Sequence, residues 1–389
     1  MLNEQEQKLI AWFRDREAEM LALTEKLVNI DGGSHDKAGV DAVGEALQEW
    51  FASRGIACER FPLETYADVF RASINADAPG RQILLMGHRD TVFPKGEPTR
   101  RPYRTENGRA YGPGAADMKS GVVQDAFVLA AFAELGGAPG PLTCLFTGDE
   151  EIGTPGSKSL ITEQAKLARA AFNAEPGRVN GNVVTGRRGG VFFKCEVFGK
   201  AAHAGLNFAA GHSAIAEIAG KIMRWSALNE TFAARNMTLN VGLVSGGQSV
   251  NTVAPHASCE IDLRYVEPED RADLLSAIQE IADDCKVTGT SAKLSIAGEF
   301  LPFKPTDESE ALFRHYQKAA ADLGIELEGE YTLSCADSGL TSEAGVPTIC
   351  AVGPVGGGAH SPEEYMELSS VVPRAQAVAL TIARMQPEK

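Results

Sequence analysis

Three short apolar runs, each ending in acidic residues or a histidine, constrain the fold of this chain most strongly. They are QILLMGHRD (82–90), PLTCLFTGDEE (141–151) and AAFNAEP (170–176). Continuous apolar runs separated by helical patterns such as SGVVQDAFVLAAFAEL (120–135) are typical of parallel strands covered by helices on both faces. We therefore predict an α/β domain with a mostly parallel sheet, whose chemistry lies beyond the carboxyl ends of the strands.

The length and composition narrow the class of protein. With 389 residues the chain exceeds the roughly 250–300 residues of a single core, so two domains are expected. A net charge of −15 argues against nucleic-acid or anionic-membrane partners, which need clustered basic residues. The start MLNEQEQKLIAWF lacks the pattern of a signal peptide. Seven scattered cysteines without a CxxC pair suit reduced thiols, so we expect a cytoplasmic protein.

The pattern of the chain changes at about residue 187. From there, segments with strand and helix patterns alternate in the order β-α-β-β-α-β, which is the ferredoxin-like signature. In chain order they are GGVFFKCEVFG, HSAIAEIAGKIMRWSAL, MTLNVGLVSG, ASCEIDLRYV, PEDRADLLSAIQEIADDC and AKLSIAGEF.

The ends of the chain resume the first pattern. Two amphipathic helices are predicted over 3–29 and 37–54, and a helix, a short strand and a C-terminal helix follow residue 300. We therefore predict a split catalytic domain, residues 1–186 and 300–389, with an inserted α+β lid or dimerisation domain at 187–299.

Polar side chains gather where the predicted strands end. Taken singly, adjacent acids after a strand are usually a solvated loop, and a lone histidine is usually a hydrogen-bonded residue. Together they form the mixed nitrogen and oxygen ligand set that suits zinc. The residues are His88, Asp90, Asp117, Glu150, Glu151, Glu175 and His360.

The chemistry of such a centre suggests roles for these residues. Asp117, in a glycine-rich turn that starts a helix, is the best candidate for a carboxylate that bridges two metal ions. Asp90 suits an acceptor for the second ring nitrogen of His88. Neighbouring side chains on an extended chain point to opposite sides, so one of Glu150 and Glu151 can bind metal while the other acts as a general base.

Six blocks carry a resemblance to a known family. GHRDTV, GPGAADMKSG, TGDEEIGTPGS, NAEP, GKAAHAG and GPVGGGAHSPEEY lie in this order between about residues 80 and 370. They resemble the signature blocks of the co-catalytic zinc peptidases and amidohydrolases, a family that includes glutamate carboxypeptidase, aminoacylase, acetylornithine deacetylase and succinyl-diaminopimelate desuccinylase. The glutamate carboxypeptidase branch looks most similar. Each block alone would be weak, whereas six in register are specific.

The resemblance implies a metallohydrolase with two Zn²⁺ ions per subunit, in sites that Co²⁺ or Mn²⁺ would also fit. It implies that Glu150 is the catalytic base, that Asp90 supports His88, and that the Asp117–Met118 peptide is cis. The implied ligands are His88, Asp117 and Glu175 for one ion and Asp117, Glu151 and His360 for the other.

Three residues of the inserted domain also match the family. The resemblance implies that His203 reaches the active site of a partner subunit and helps to stabilise an oxyanion, which requires a homodimer. It implies that Asn251 joins this contact and that Arg264 binds the free carboxylate of the substrate. Alternatively, His203 caps a strand turn, and Arg264 pairs with Asp262 or Glu260.

The predicted function is hydrolysis of the amide bond of small N-acyl or N-aminoacyl amino acids, with release of a C-terminal amino acid. The alternatives are a biosynthetic deacylase of the acetylornithine or succinyl-diaminopimelate type, a metal-free binding protein on the same fold, or a thiol enzyme built on Cys335. The departures SCADSG (334–339), EPGRVNGNV with Arg178 as its only base, and GEFLPFKP with Lys304 bear on specificity and do not predict a preference for acidic side chains.

Overall fold

The computed structural model of the protein describes residues 2–388. Its helices are α1 Glu4–Arg14, α2 Glu17–Val28, α3 Lys37–Ala52, α4 Glu97–Arg100, α5 Lys119–Leu135, α6 Lys158–Lys166, α7 Ala214–Thr231, α8 Arg271–Asp283, α9 Asp307–Ala321, α10 Ser338–Glu343 and α11 Val371–Ala383. Its strands are β1 Cys58–Phe61, β2 Val69–Ile74, β3 Gln82–His88, β4 Arg104–Glu106, β5 Arg109–Tyr111, β6 Leu142–Thr147, β7 Ala168–Asn173, β8 Val183–Arg187, β9 Gly189–Phe198, β10 Thr238–Gly246, β11 His256–Tyr265, β12 Ser291–Phe300, β13 Gly329–Thr332, β14 Thr348–Cys350, β15 Gly356–Gly357 and β16 Tyr365–Glu367. Among the helices between residues 2 and 388, none has the length and apolar character needed to cross a membrane.

The chain forms two compact units. The first comprises the chain up to Gly186, Phe303–Thr332 and the chain from Asp337 onward, and the second comprises Arg187–Pro302 with Leu333–Ala336. The predicted boundaries assign Leu333–Ala336 to the catalytic domain, whereas these residues group with the second unit. The segment SCADSG is therefore where the chain leaves one unit for the other.

An eight-stranded sheet forms the centre of the first unit, in the order β1-β2-β6-β3-β7-β14-β8-β13. The central strands β6, β3, β7 and β14 are parallel, whereas β1, β2 and β8 pair antiparallel with their neighbours. The buried helix α5 packs on β3 and β6. The predicted α/β class is confirmed, and the sheet is parallel at its centre and mixed at its edges.

A small sheet of the first unit was not predicted. Its order is β15-β16-β5-β4, and its strands have only two or three residues, too few for any periodic pattern to be detected. Tyr365 of β16 pairs with both Tyr111 and Gly357. The sheet therefore joins the loop that leads to Asp117 to the loop that leads to His360.

The second unit contains an antiparallel sheet in the order β10-β11-β9-β12, on which α7 and α8 pack. Its chain order is β-α-β-β-α-β, so the ferredoxin-like prediction is confirmed. Between the helices, Trp225 is fully buried and donates its indole N–H to the carbonyl of Ile278 at 3.1 Å. This unit has its own core, separate from that of the large sheet.

The prediction of a single helix over 3–29 was wrong. Helix α1 ends at Arg14 and α2 begins at Glu17. At the break, the N–H of Arg16 bonds to the carbonyl of Phe13 rather than to that of Trp12, which closes a tighter turn. The apolar periodicity hides this break because α1 and α2 both pack on α5.

Arg89, between the two polar residues at the end of β3, is fully buried. Its guanidinium donates to the carbonyls of Val40 (2.7 Å), Thr147 (3.1 Å) and Asp68, and lies 4.7 Å from the ring centroid of Phe70. Burial lowers the pKa of Arg89 to about 10, so the side chain remains charged at neutral pH. Arg89 thus ties the end of β3 to three other segments.

We expect Arg89→Met to destabilise the first unit by about 2–5 kcal/mol, because each buried carbonyl left without a donor costs about 1–3 kcal/mol. Urea unfolding followed by fluorescence would measure the loss. The control is Arg71→Met, which removes a partly exposed ion pair with Glu59 and should cost less than about 1 kcal/mol. Equal losses in the two variants would contradict a special role for Arg89.

Candidate metal centre

The topology of the sheet brings the predicted ligands together. Strands β6, β3 and β7 are parallel neighbours, so their carboxyl ends meet at one edge. His88 is the last residue of β3, Glu150 and Glu151 follow β6, and Glu175 lies two residues beyond β7. Loops from elsewhere in the first unit add Asp117, just before α5, and His360, after β15.

His88 stands at the centre of one group of carboxylates. Its Nε2 lies 3.2 Å from Asp117 Oδ1, 3.7 Å from Glu175 Oε1 and 3.8 Å from Glu150 Oε2. The imidazole is almost completely buried. A single ion could therefore contact several of these atoms with small side-chain adjustments.

A second imidazole, that of His360, lies beside the other carboxylate oxygen of Asp117. His360 Nε2 lies 3.3 Å from Asp117 Oδ2 and 3.0 Å from Glu151 Oε2. His360 adopts a left-handed backbone conformation with φ 63°, which is uncommon for a residue other than glycine and typical of functional sites. Asp117 thus offers one oxygen to each histidine, the arrangement expected of a bridging carboxylate.

The potential ligand atoms cluster tightly in the part of the chain that the structure describes. Two groups have all such atoms within 4.8 Å of one another: His88, Asp117 and Glu151, and His88, Glu150 and Glu175. These groups divide the residues differently from the predicted ligand sets, because His88 belongs to both and Glu150 joins one. The assignment of each ligand to a particular ion therefore stays a prediction.

The sequence predicts an extended chain at the two adjacent glutamates, and this prediction was wrong. Residues Glu150–Ile152 form a single 3₁₀ turn. Asp90 holds this turn, because its carboxylate accepts the backbone N–H groups of Glu150 and Glu151, each at 3.2 Å. The side chains still diverge, with Glu150 near His88 and Glu151 near His360.

Asp90 also contacts His88, the role predicted for it. The Nδ1 atom of His88 lies 3.1 Å from the main-chain oxygen of Asp90 and 3.4 Å from the carboxylate. The carboxylate in addition accepts the hydroxyl of Ser34 at 2.7 Å. Asp90 therefore positions the imidazole and the glutamate turn together.

Glu364 was missed as a functional residue. Its buried carboxylate accepts the N–H groups of Gly114 (3.2 Å), Ala116 (2.9 Å) and Asp117 (2.9 Å), and so fixes the loop that presents Asp117. Burial raises its pKa to about 7. Glu364 lies in the block GPVGGGAHSPEEY, but the sequence gives it no role because adjacent acids on a loop usually indicate solvent exposure. In the same loop, the Asp117–Met118 peptide is cis, as the resemblance implies.

The buried carboxylates perturb one another. Burial raises the pKa of Glu150 well above its usual value, against the opposing charge of His88. Burial and the charge of Asp117 raise the pKa of Glu151 to about 7. Burial would also raise the pKa of Asp117, but hydrogen bonds with His360 and His88 outweigh it and lower the pKa.

The histidines respond in the opposite direction. Hydrogen bonds to Asp117 and Glu151 raise the pKa of His360 to about 10. Burial lowers the pKa of His88, yet the charge of Glu150 and the bond with Asp117 outweigh burial and raise it. The cluster thus retains protons because it holds excess negative charge away from water. Divalent cations displace such protons when they bind, so the donor set fits metal ions.

The remaining predicted residues lie in the second unit. His203 is exposed, and its Nδ1 accepts the N–H groups of Gly205 and Leu206, each at 3.2 Å. The N–H of Ala204 bonds to the carbonyl of Asn251 at 2.9 Å, so His203 and Asn251 lie on adjacent segments. His203 therefore caps a turn, which is the alternative role that the sequence allows. Its Nε2 atom takes no part in this contact.

Arg264 makes the ion pair of the alternative reading. Its Nε and Nη2 atoms contact the carboxylate of Asp262 at 2.6 and 3.0 Å, and its Nη1 contacts Cys335 Sγ at 2.7 Å. Burial raises the pKa of Cys335, although Arg264 opposes this effect. A protonated thiol is a poor nucleophile, which argues against a thiol enzyme built on Cys335.

A mixed α/β sheet with an imidazole and carboxylates at the ends of its parallel strands, joined by a second imidazole from a loop, is the arrangement of a metal-dependent enzyme. The family described as Peptidase family M20/M25/M40 matches residues 84–384, and the chain belongs to this family. Enzymes of the family are metal-dependent and include peptidases and amidohydrolases, and membership implies small peptide or acyl-amino-acid substrates.

Two relatives illustrate the range of this family. Carboxypeptidase G2 of Pseudomonas sp. (strain RS-16) is 30% identical over 377 residues, which cover 95% of this chain and 89% of the relative. A succinyl-diaminopimelate desuccinylase of Burkholderia cenocepacia (strain HI2424) is 26% identical over 375 residues, 91% of this chain and 95% of the relative. The M20 family metallo-carboxypeptidase Sso-CP2 of Sulfolobus solfataricus shares the fold, with a TM-score of 0.77, 17% identity, and coverage of 94% of this chain and 98% of that chain.

We expect Glu364→Gln to weaken Zn²⁺ binding by roughly 10–100-fold, the usual effect of losing a group that orients a ligand. The glutamine side chain has an N–H₂ donor where the carboxylate has an acceptor oxygen. That donor would face a backbone N–H that bonds to the carboxylate in the wild type. Competition with a chromophoric chelator would measure the affinity. Glu363→Gln, at the exposed neighbouring position, is the matched control and should bind Zn²⁺ as the wild type does. Equal affinities for both variants would contradict the role of Glu364.

Proposed function

We propose that this hydrolase cleaves the amide bond of small N-acyl or N-aminoacyl amino acids and releases a C-terminal amino acid. The observation that carries the proposal is the convergence of two imidazoles and four carboxylates: His88 lies within 3.8 Å of Asp117, Glu150 and Glu175, and His360 lies within 3.3 Å of Asp117 and Glu151. The likeness to carboxypeptidase G2 along 95% of the chain supports the carboxypeptidase or aminoacylase type.

We propose two Zn²⁺ ions per subunit as the cofactors, with Co²⁺ or Mn²⁺ as substitutes. Bound divalent cations would polarise the carbonyl of the substrate and acidify the attacking water. His88, Asp117 and Glu175 are the proposed ligands of one ion, and Asp117, Glu151 and His360 are those of the other. The separate approach of the two imidazoles to the two oxygens of Asp117 supports this division.

Glu150 is the proposed general base and acid. Its carboxylate accepts one proton of water as the water oxygen bonds to the carbonyl carbon, and it delivers that proton to the nitrogen as the C–N bond breaks. The products are a carboxylic acid and a free amine. The position of Glu150 suits this exchange, because its Oε2 lies 3.8 Å from the proposed ligand His88 and therefore close to where bound water would be held.

Recognition of the amino-acid end is proposed for the second unit, which would act as a lid or dimerisation domain. Arg264 would bind the free carboxylate of the substrate, in place of or beside its present partner Asp262. His203 and Asn251 of a second copy would stabilise the oxyanion. The adjacency of the His203 and Asn251 segments supports a joint role.

A biosynthetic deacylase is the second candidate. The succinyl-diaminopimelate desuccinylase relative, at 26% identity over 91% of the chain, supports it. Both candidates would use the same cluster and differ in the acyl group and the amino acid. A panel of dipeptides, N-acetyl amino acids, N-acetylornithine and N-succinyl-diaminopimelate, with release of free amine measured, separates them.

We expect Glu150→Gln to reduce kcat by roughly 10²–10⁴-fold on the best substrate of this panel, because proton transfer by a positioned group contributes about that much. Zinc content, measured by atomic emission, should stay at the wild-type value, since Glu150 is not a proposed ligand. His360→Ala is the comparison variant and should lose zinc together with activity. Unchanged activity of Glu150→Gln, or a wild type without stoichiometric zinc, would contradict the proposed function.

The second unit offers an exposed apolar strand edge for the proposed homodimer. Strand β10 is an edge of its sheet and exposes Leu243 and Val244, each 63% accessible, and α7 exposes Met223 at 72%. An exposed edge strand offers unpaired backbone groups that can pair with the same strand of a second copy.

We expect Leu243→Arg to convert the proposed dimer into a monomer, because the substitution would bring a desolvated positive charge from each copy into the proposed interface. Light scattering coupled to size-exclusion chromatography would report the mass. Ile296→Arg, on the opposite edge strand β12 and 50% exposed in the wild type, should remain dimeric. A monomeric wild type would overturn the proposal.

A further inference from the structure

Lys119 is a fully buried lysine to which the proposed chemistry gives no role. It is the first residue of α5 and follows the cis peptide Asp117–Met118. Its Nζ donates to the carbonyl of Ile30 at 2.8 Å, which is its one hydrogen-bond acceptor among residues 2–388. A buried ammonium group with a single acceptor is costly, so a role that offsets the cost is expected.

The ammonium group lies near two carboxylates that support the metal cluster. Burial lowers the pKa of Lys119 to about 8, and the charges of Glu364, Asp31 and Asp90 oppose this effect. Glu364 accepts the N–H of Asp117, and Asp90 accepts the N–H groups of the glutamate turn. The positive charge of Lys119 therefore acts on both acids that hold ligand-bearing loops.

The side chain of Lys119 also joins two loops of the first unit. Its backbone N–H bonds to the carbonyl of Gly114 at 2.9 Å, within the loop that presents Asp117. Its Cδ packs against the same residue, because a Cβ atom on Gly114 would lie 3.2 Å from it. The bond from Nζ to Ile30 connects this loop to the segment before α3.

The segment that Lys119 holds is bonded in turn to the end of β3. The N–H of Thr91 bonds to the carbonyl of Gly32 at 2.7 Å, and the N–H of Ser34 bonds to the carbonyl of Thr91 at 3.2 Å. The hydroxyl of Ser34 donates to the carboxylate of Asp90 at 2.7 Å. A continuous set of contacts thus runs from the loop of Asp117 through Lys119 to the support of His88.

We propose that Lys119 is a positioning residue of the metal centre, which holds Asp117 in place relative to His88 and compensates the charges of Glu364 and Asp90. The inference rests on the proposed metal ligands. Lys119 does not touch the substrate, because its ammonium group is buried and bonded to Ile30. Ligands that are held in place before the ion arrives need less rearrangement on binding, so the affinity for the ion is higher.

A second buried lysine supplies the matched control. Lys221, on α7 of the second unit, is 1% exposed, and its Nζ donates to the carbonyls of Ile281 (2.9 Å), Ala282 (2.8 Å) and Asp284 (3.2 Å). Its contacts stabilise the second unit and include none of the predicted metal ligands. Replacement of such a lysine lowers the free energy of unfolding, whereas the zinc affinity of the folded protein stays the same.

We expect Lys119→Met to weaken Zn²⁺ binding by roughly 10–100-fold, the usual effect of losing a group that orients a ligand. Competition with a chromophoric chelator would measure the affinity of the folded, zinc-depleted protein. Lys221→Met should keep the wild-type affinity. With Co²⁺ in place of Zn²⁺, the visible absorption reports the geometry of the ligands, and it should shift in Lys119→Met and not in Lys221→Met.

A smaller substitution tests the same contact should Lys119→Met fail to fold. A methyl group on Gly32 would lie 3.1 Å from the Nζ of Lys119, so Gly32→Ala displaces the ammonium group from the carbonyl of Ile30. We expect weaker Zn²⁺ binding than in the wild type, by a smaller factor than for Lys119→Met. The control is Gly220→Ala, because a methyl group there meets no atom within 4 Å, and it should bind Zn²⁺ as the wild type does.

The outcomes separate the role of Lys119 from the proposed function. Wild-type zinc affinity in folded Lys119→Met, or in Gly32→Ala, would overturn the positioning role while the proposed function stands. Equal losses of affinity in Lys119→Met and Lys221→Met would also overturn it, because the effect would then follow from stability alone. A wild type that binds no Zn²⁺ would overturn the proposed metal centre, and the role of Lys119 with it.

Discussion

The buried carboxylate of Asp90 is the interaction on which the rest of the site depends. A buried carboxylate needs hydrogen-bond donors, because desolvation otherwise disfavours its charge. Ser34 donates its hydroxyl to this carboxylate, and the turn at Glu150–Ile152 donates two backbone N–H groups. The Nδ1 atom of His88 lies 3.4 Å from it. Three segments distant in sequence are thereby fixed by one group, and the imidazole and both glutamates take their positions from it. Arg89, next in sequence, does the same on the other side of the strand, where it satisfies three backbone carbonyls.

The cluster that Asp90 organises is held against its own repulsion. Carboxylates packed this closely repel one another, and burial adds a further cost to their charge. Groups outside the cluster hold it in place. Glu364 fixes the loop of Asp117 by accepting three backbone N–H groups. The small sheet joins that loop to the one that carries His360. Such support keeps negative groups in place that would otherwise separate, so the donor set fits divalent cations without rearrangement of the loops.

Much of this arrangement follows from the sequence, and the remainder has identifiable reasons. Apolar runs predict the central strands, and their polar ends predict the cluster, because topology alone brings the ends of parallel strands to one edge. The small sheet escapes detection because strands of two or three residues are too short to show a periodic pattern. The break between α1 and α2 escapes detection because both helices bury their apolar faces against α5, so the apolar periodicity continues across the break. Glu364 and Arg89 escape because the pattern treats an acid in a loop as solvated and a lone arginine as exposed. Their partners are backbone groups, which no side-chain pattern records.

The contacts of Asp90 explain why some residues near the cluster tolerate change and others do not. The hydroxyl of Ser34 and the backbone N–H groups of Glu150 and Glu151 all donate to the carboxylate of Asp90. Loss of the Ser34 contact would leave a buried carboxylate with one donor fewer and would disturb the glutamate turn. Substitution of exposed residues on the loop after β3 leaves these hydrogen bonds in place. Divergence of substrate preference within one family is therefore expected in the exposed residues after β3, such as Val92 and Pro94, rather than in the residues that bond to Asp90.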